Sequence, residues 1–491
     1  MLGYWKPHKE YQNYVVEKLS ETAKILPETV QEYKTAISKL YLLDLDSLNP
    51  IVEPLYSHMG RKSEYQPEIF RSLVLMIELH GCLDNWVEKL KCNSVLRTLC
   101  GFGNKMPSVS SYYDFISRIY KLDDRPVERT YKRKPMKKYA TGEKMPPKHP
   151  DIVSKLVEKI LDGRRFNSRP ELTLQKIFAE VAVNKSVEMG LISANPDISG
   201  DGTCVETGAS HYGRKICKCK DFNCSCPRRF SDPNATWGWD SYESRYFYGY
   251  TEYIISHYNK SAKLDLPLYL RFVGANRHDS ISAVVALAEF RDLHPNLHVN
   301  SFISDSASDN DATYYLLDKW NINAVIALNL KNSGNFSYPR ALSIDKNGVP
   351  LCPAANKMIR WGFDRQRCRI KWRCPRVLRK VPCSAACSSC SPSLYGRVIF
   401  TKPHWDLRLF TRITRGSHEW KLSFNQRTAS ERVNNTLLNH YLHNSHSRGK
   451  KRIAFFSAIA AVNIHLDAWV SARSAELDSI FNFIFDTRFP V

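Results

Sequence analysis

Ile198-Ser199-Gly200-Asp201-Gly202-Thr203-Cys204-Val205-Glu206 is the stretch around which the chain is read. Before it the sequence is mostly helical in pattern. From Ile198 onward strands alternate with helices, and 198–206 reads as the first strand. An acid, Asp201, stands at its middle between Gly200 and Gly202. The two glycines let other groups approach that carboxylate closely.

Working outward toward the C-terminus, 246–256 and 266–273 read as two more strands, rich in aromatic and β-branched residues. A helix over 280–291 follows, then a short apolar strand over 299–304 that ends on Asp305. A helix over 311–320 and a strand over 322–328 complete the run. Next comes a long irregular stretch, 329–409, dense in Cys, Pro, Arg and Lys. Helices resume at about 428, and Glu431 lies on the first of them. Three strands, a helix, a strand, a helix, a strand and a late helix make an α/β layout with a mixed sheet flanked by helices. The first and fourth strands can then be neighbours, and the late helix can pack across them.

Toward the N-terminus, 1–130 reads as an all-α region. Apolar residues at Ile69, Leu73, Leu75, Met76 and Leu79 follow a helical period. A second helix fits 85–99. Serines at 108, 110 and 111 supply helix-start chemistry ahead of 112–120. A helix-turn-helix-like DNA reader and a plain helical packing domain both suit this pattern. Residues 132–148 form a basic break with Lys-Arg-Lys, Lys-Lys and Pro-Pro, read as a linker that tracks phosphate, or as a solvated loop. A helical segment spans 150–191. The expected units are 1–130, a linker and connecting helix at 131–196, a first core part at 197–330, a cysteine-rich basic insertion at 331–410, and C-terminal helices at 411–491.

The chain has 491 residues, 43% hydrophobic, enough for a sizeable core and against disorder. Its 71 Lys and Arg outweigh 49 acids, giving a formal charge of +22. Such a field attracts polyanions, nucleic acid first, although a merely basic soluble protein has the same balance. No signal peptide is visible at the start, and the longest apolar run, 453–462, is broken by Asn463, His465 and Asp467. A buried helix is expected there, and no membrane span, in a cytoplasmic or nucleoid-associated protein. Phosphate-loop, H-E-x-x-H and G-x-S-x-G signatures are absent from the sequence.

Each acid alone says little, since a lone Asp after a strand is more often a turn or cap residue. Together, Asp201 on the first strand, Asp305 at the tip of the fourth and Glu431 on a late helix suit hard divalent cations, which take oxygen ligands. Two such ions can activate the attacking oxygen and stabilise the leaving one in phosphoryl transfer.

Five stretches resemble transposases of bacterial insertion sequences, in the insertion-sequence-four-like DDE group. They are Asp201-Gly202-Thr203, Tyr248-Gly249-Tyr250, Ala275-Asn276-Arg277-His278-Asp279, Asp305 through Asp309, and Phe424-x-x-Arg427-x-x-x-Glu431. Residues 60–119 resemble the helical domain that precedes the core in that group. The resemblance implies a ribonuclease H-like core whose Asp201, Asp305 and Glu431 hold two Mg²⁺ or Mn²⁺ ions. It implies metal-dependent cleavage at transposon ends and strand transfer into target DNA, with double-stranded DNA and a second copy of the chain as partners. Arg427, one turn before Glu431, would grip a DNA phosphate. Two positions depart from the pattern. The signature tyrosine is Phe424, and the lysine seven residues past the glutamate is Leu438. Lys450, Lys451 and Arg452, with Arg448, stand as substitutes for DNA contact. A transposase-derived DNA-binding protein without catalysis, a structure-specific nuclease and a zinc-organised interaction protein are the rival readings.

Of 14 cysteines, Cys217, Cys219, Cys224 and Cys226 sit close together between the first two strands, and four thiolates suit a tetrahedral Zn²⁺. Cys374, Cys383, Cys387 and Cys390 form a second candidate zinc set, with Cys352 and Cys368 nearby. Free thiols in a basic loop are the alternative for both. The arginines and lysines from Arg365 to Lys380 make the insertion a candidate DNA-backbone surface, and Trp361 and Trp372 are either stacking platforms or core aromatics. His278 reads as a turn residue or as a neighbour of the acids.

Overall fold

The computed structural model describes residues 1–120, 126–130, 151–164, 170–221, 224–329, 342–383, 390–391, 393–442 and 447–485. The basic linker expected at 132–148 lies outside them.

Six strands build the central sheet: β1 (Asp197–Glu206), β2 (Thr236–Asp240), β3 (Arg245–Asn259), β4 (Leu264–Gly274), β5 (Ser301–Ser304) and β6 (Asn323–Ile326). Their order is β4-β3-β1-β5-β6, and β2 pairs with the start of β3. β3 runs antiparallel to β1 and β4, whereas β1, β5 and β6 are mutually parallel. β3 is buried along most of its length, as expected for a strand with neighbours on both edges and layers on both faces.

Helices cover both faces. On one lies α2 (Asp279–Leu293), backed by α1 (Ile152–Leu161) and by α3 (Asp311–Lys319), with Val157, Val284, Val285 and Leu316 packed together. α2 is apolar nearly all round because it is enclosed by the sheet and these helices. On the other lie α5 (Thr428–Asn435) and α6 (Lys450–Ala472), with α4 (His418–Phe424) reaching β5 and β6. The helix Gln66–Glu78 packs on α6. One continuous hydrophobic core runs from Tyr11 through the sheet to Ile484, so the N-terminal helices share it with the C-terminal ones.

Several sequence expectations need correction. The helix expected over 85–99 is two helices, Leu83–Cys92 and Ser94–Cys100. Asn93 between them is extended, and its side chain accepts a hydrogen bond from the Leu96 amide, an N-cap that restarts the helix. The buried helix expected at 453–462 is present and longer than its apolar run, since Asn463 and His465 lie within it. Asn463 donates to the Val74 carbonyl and His465 bonds Ser186 and the Pro267 carbonyl, so α6 continues through both. Its 23 residues are long and apolar enough to cross a membrane, yet 83% of an apolar 18-residue stretch of it is buried inside the protein, as in a core helix. The insertion is not irregular throughout: β7 (Ile359–Asp364), β8 (Arg369–Arg373) and β9 (Val398–Thr401) form an antiparallel sheet with its own small core of Met358, Ile370, Trp372 and Phe410.

Candidate functional site

The register of the sheet sets two of the acids level. β1 and β5 pair in parallel, with Ser199 opposite Ile303. Asp201 and Asp305 each follow two residues later, so they stand side by side where β5 ends. Asp305 caps the short turn Ser306–Ser308, accepting from the Ala307 amide at 3.0 Å. α5 crosses over β1, β3 and β4. It is fixed by a buried hydrogen bond of 2.7 Å between the hydroxyls of Ser199 and Ser430. That places Glu431 and Asn434 on the side of Asp201, and Asn434 donates to Asp201 Oδ2 at 3.4 Å.

A fourth carboxylate joins them. Asp279 is the first residue of α2, next to His278, whose ring nitrogen caps the helix by accepting from the Ser280 amide. A methyl group on Gly202 would lie 2.4 Å from Asp279 Oδ1, so only glycine leaves that carboxylate its position. The neighbouring Gly200 makes room in the same way for the Tyr253 hydroxyl. Tyr253 is fully buried, with Ser304 beside its hydroxyl. Burial, then the charges of Asp279, Asp201 and Asp305, hold its proton on.

The electrostatics are those of crowded acids. Burial, followed by the charges of Asp305 and Asp279, pushes the Asp201 carboxyl up to about 7. Burial also raises Asp279, with His278 opposing and Asp305 reinforcing the shift. Among the described residues no lysine or arginine pairs with Asp201, Asp279 or Asp305. Acid donors without counter-cations are the donor set that suits a hard divalent ion. Glu431 is different. It is nearly half exposed and pairs with Arg427 Nη1 at 2.5 Å. Arg427 thus faces the same side as Glu431, as the four-residue spacing predicts, but it is held by that carboxylate. The acids do not draw into one ligand knot; the cysteine quartet is the group of three or more ligand atoms within 4.8 Å of one another among the described residues.

Other expected residues take varied positions. Asp309, next to the second acid, is structural: buried, it pairs with Arg408 at 2.7 Å and accepts from Tyr314 and from the Asn329 amide. Phe424 stacks on Trp420 at 4.6 Å and packs against Ile303, Val325 and Ile413 beneath β5, which explains an apolar ring there. Lys450 pairs with Glu171 at 2.9 Å. The Arg452 guanidinium lies over the Tyr113 ring, and Lys451 also has an interaction partner. Trp372 is a core residue that donates to Thr401, while Trp361 is 51% exposed.

The first cysteine set comes together as its spacing suggested. Sulfur separations are 3.0 Å for Cys217–Cys219, 3.5 Å for Cys217–Cys224 and 3.7 Å for Cys219–Cys226. Four sulfurs at about 2.3 Å from a tetrahedral zinc stand roughly 3.8 Å apart, so the quartet can hold such a metal with little movement. The four thiols share protons: hydrogen bonding from Cys219 and from the Cys226 backbone draws the Cys224 thiol down, while the neighbouring thiols push Cys219 up. Lys215 shapes the loop by donating to the carbonyls of Cys219 and Asp221. In the second set, Cys374, Cys383 and Cys390 do not gather, and Cys387 lies outside the described residues.

Asp279 is the residue that reading the chain in one dimension undervalued. It was visible in the Ala275–Asp279 turn, but only its approach to Gly202 connects it with the acids. No protein-family model matches the chain, and no curated protein matches it.

Proposed function

We propose that the chain is a DDE-type transposase with a ribonuclease H-like core, cutting DNA at the ends of a mobile element and joining them to target DNA. One observation carries this reading: Asp201 and Asp305 stand level on adjacent parallel strands, with Glu431 on the helix that crosses them. The strand order β4-β3-β1-β5-β6, with three antiparallel and two further parallel strands, supports the core assignment.

Asp201, Asp305 and Glu431 would hold Mg²⁺ or Mn²⁺, with Asp279 beside them. Bound there, the ions supply charge neutralisation and an activated oxygen for in-line displacement at phosphorus. The chain's own groups set the stage. Asn434 steadies Asp201 through its amide. The Ser199–Ser430 bond fixes the helix that carries Glu431. Arg427 lies one turn away, and its guanidinium suits a phosphate once Glu431 is otherwise engaged. In the first stage water attacks a phosphodiester and leaves a free 3′-hydroxyl. In the second that hydroxyl attacks a target phosphodiester, so one P–O bond forms as another breaks. The surplus of basic charge suits double-stranded DNA, and joining two ends calls for two copies of the chain in a cytoplasmic, nucleoid-associated complex.

The test is strand transfer. Labelled DNA carrying the sequences that flank the gene is incubated with a target plasmid and Mg²⁺. Joined products from the wild type are expected. Cutting without joining would reduce the reading to a nuclease, and binding alone would reduce it to a DNA-binding protein.

A further inference from the structure

The hairpin of β2 and β3 presents aromatic rings to water. Trp237 stands opposite Tyr248 and Trp239 opposite Tyr246, with ring centres 5.5 and 4.8 Å apart. Trp237, Trp239 and Tyr246 are 47%, 53% and 69% exposed. Isolated exposed aromatics need no explanation, but a stripe of them on one hairpin face marks a contact surface.

Its surroundings identify the chemistry of the contact. The His211 ring packs on Trp237 at 4.6 Å and so ties the hairpin to the cysteine loop. Residues 214–229 of that loop hold six basic residues and one acid; Arg228 is buried and Arg229 pairs with Glu128, so Arg214, Lys215, Lys218 and Lys220 carry its basic face, while Asp240 and Glu243 lie in the hairpin turn. The buried Asp232 accepts from Thr207, from the Tyr250 hydroxyl and from the Gly449 amide. That carboxylate fastens the hairpin strand to the start of α6, where Arg448 and Lys451 lie. Aromatic faces flanked on two sides by basic segments are complementary to a chain of stackable bases joined by phosphates. A second copy of this protein, equally basic, is a poorer match in charge.

The hairpin shares a strand with a neighbour of the acids. Tyr246 and Ile254 lie on β3 eight residues apart, hence on one face, and Ile254 is the cross-strand partner of Asp201. At about 3.3 Å per residue the separation is roughly 26 Å.

We propose that this hairpin, with the cysteine loop and the start of α6, binds unpaired single-stranded DNA, stacking bases on Trp239 and Tyr246. The inference rests on the DNA-processing reading above and adds to it a site for unpaired strands.

The test is fluorescence anisotropy of the full chain with labelled oligo(dT) and with a blunt duplex of equal length. The variants are Trp239→Ala/Tyr246→Ala, Trp239→Leu/Tyr246→Leu and Trp239→Phe/Tyr246→Phe. The alanine pair should weaken oligo(dT) binding at least about fivefold and leave duplex binding within about twofold, with the phenylalanine pair close to wild type. If the alanine pair melts early by circular dichroism, the leucine pair, apolar but without a ring face, decides. Parallel losses on both DNAs, or no loss on oligo(dT), overturn the proposal. So does a change of oligomeric size in light scattering with DNA affinity unchanged. A wild type that binds duplex but not oligo(dT) overturns this inference alone; one that binds neither overturns the transposase reading.

Discussion

A methyl group added to Gly202 would press on the Asp279 carboxylate from 2.4 Å, and Asp279 shares its charge environment with Asp201 and Asp305. Gly202→Ala should therefore cost at least tenfold in DNA cleavage while the fold survives, since the clash displaces a side chain rather than backbone. Circular dichroism and single-turnover cleavage together check it; a wild-type rate would show that the position of Asp279 is immaterial. The same crowding has a consequence for stability. Asp201 is raised to about 7 from 3.8, and Glu252, fully buried with a single hydrogen bond from Ser457, to about 8 from 4.5. A carboxyl whose folded value lies above its unfolded one favours folding at low pH. That contribution is lost as pH rises through the folded value. The metal-free protein should thus lose stability between about pH 4 and 8. Asp201→Asn and Glu252→Gln should each flatten the profile and raise Tm at pH 8, measured by thermal melting across pH. Asp201→Asn should do so while abolishing activity, as expected where function holds like charges together.

At the scale of elements, the main strands and helices of the sheet were legible because their apolar runs are long and their punctuation clear. β1, β3, β4, α2 and α3 lie within a few residues of where the sequence puts them. β2 escaped notice because its strand is five residues long and its large apolar residues, Trp237 and Trp239, face water. The insertion sheet was hidden by charge. Arg369-Ile370-Lys371-Trp372-Arg373 alternates, with Ile370 and Trp372 in the core, but the flanking cations make it look like a loop. The placing of Asp201 and Asp305 on neighbouring strands, with Glu431 on a helix that crosses them, was readable as an order of elements; the approach of Asp279 was not, since it depends on a side-chain clearance. The cysteine loop makes a prediction at this scale. The purified chain should carry one zinc per quartet by elemental analysis, and Cys224→Ser should lower that content. Unchanged zinc in the variant would place the metal elsewhere.

Over the whole molecule, the N-terminal helices are bound to the C-terminal ones by a shared core and by one buried cation. Lys39, on the helix Lys34–Leu42, contacts Glu78 at 2.5 Å, Asp467 on α6 at 2.6 Å and the Tyr441 hydroxyl at 3.0 Å. Lys39→Met leaves those acids facing each other. A destabilisation of about 2–3 kcal/mol is expected, below the ~3–5 for breaking a fully buried pair, because Asp467 is half exposed. Denaturant unfolding measures it, and an unchanged midpoint would mean that the apolar core alone joins the two parts. The shared core also makes the helical region a support for the sheet, which sets the acids in a frame built on one continuous core. The most direct test of that frame's purpose is a single measurement: Mg²⁺-dependent cleavage of labelled duplex DNA carrying the gene's flanking sequences, by the wild type and by Asp201→Asn. Cleavage by the wild type is expected, with a loss of at least about a thousandfold in the variant and duplex binding intact. Equal cleavage by both proteins would contradict the transposase reading.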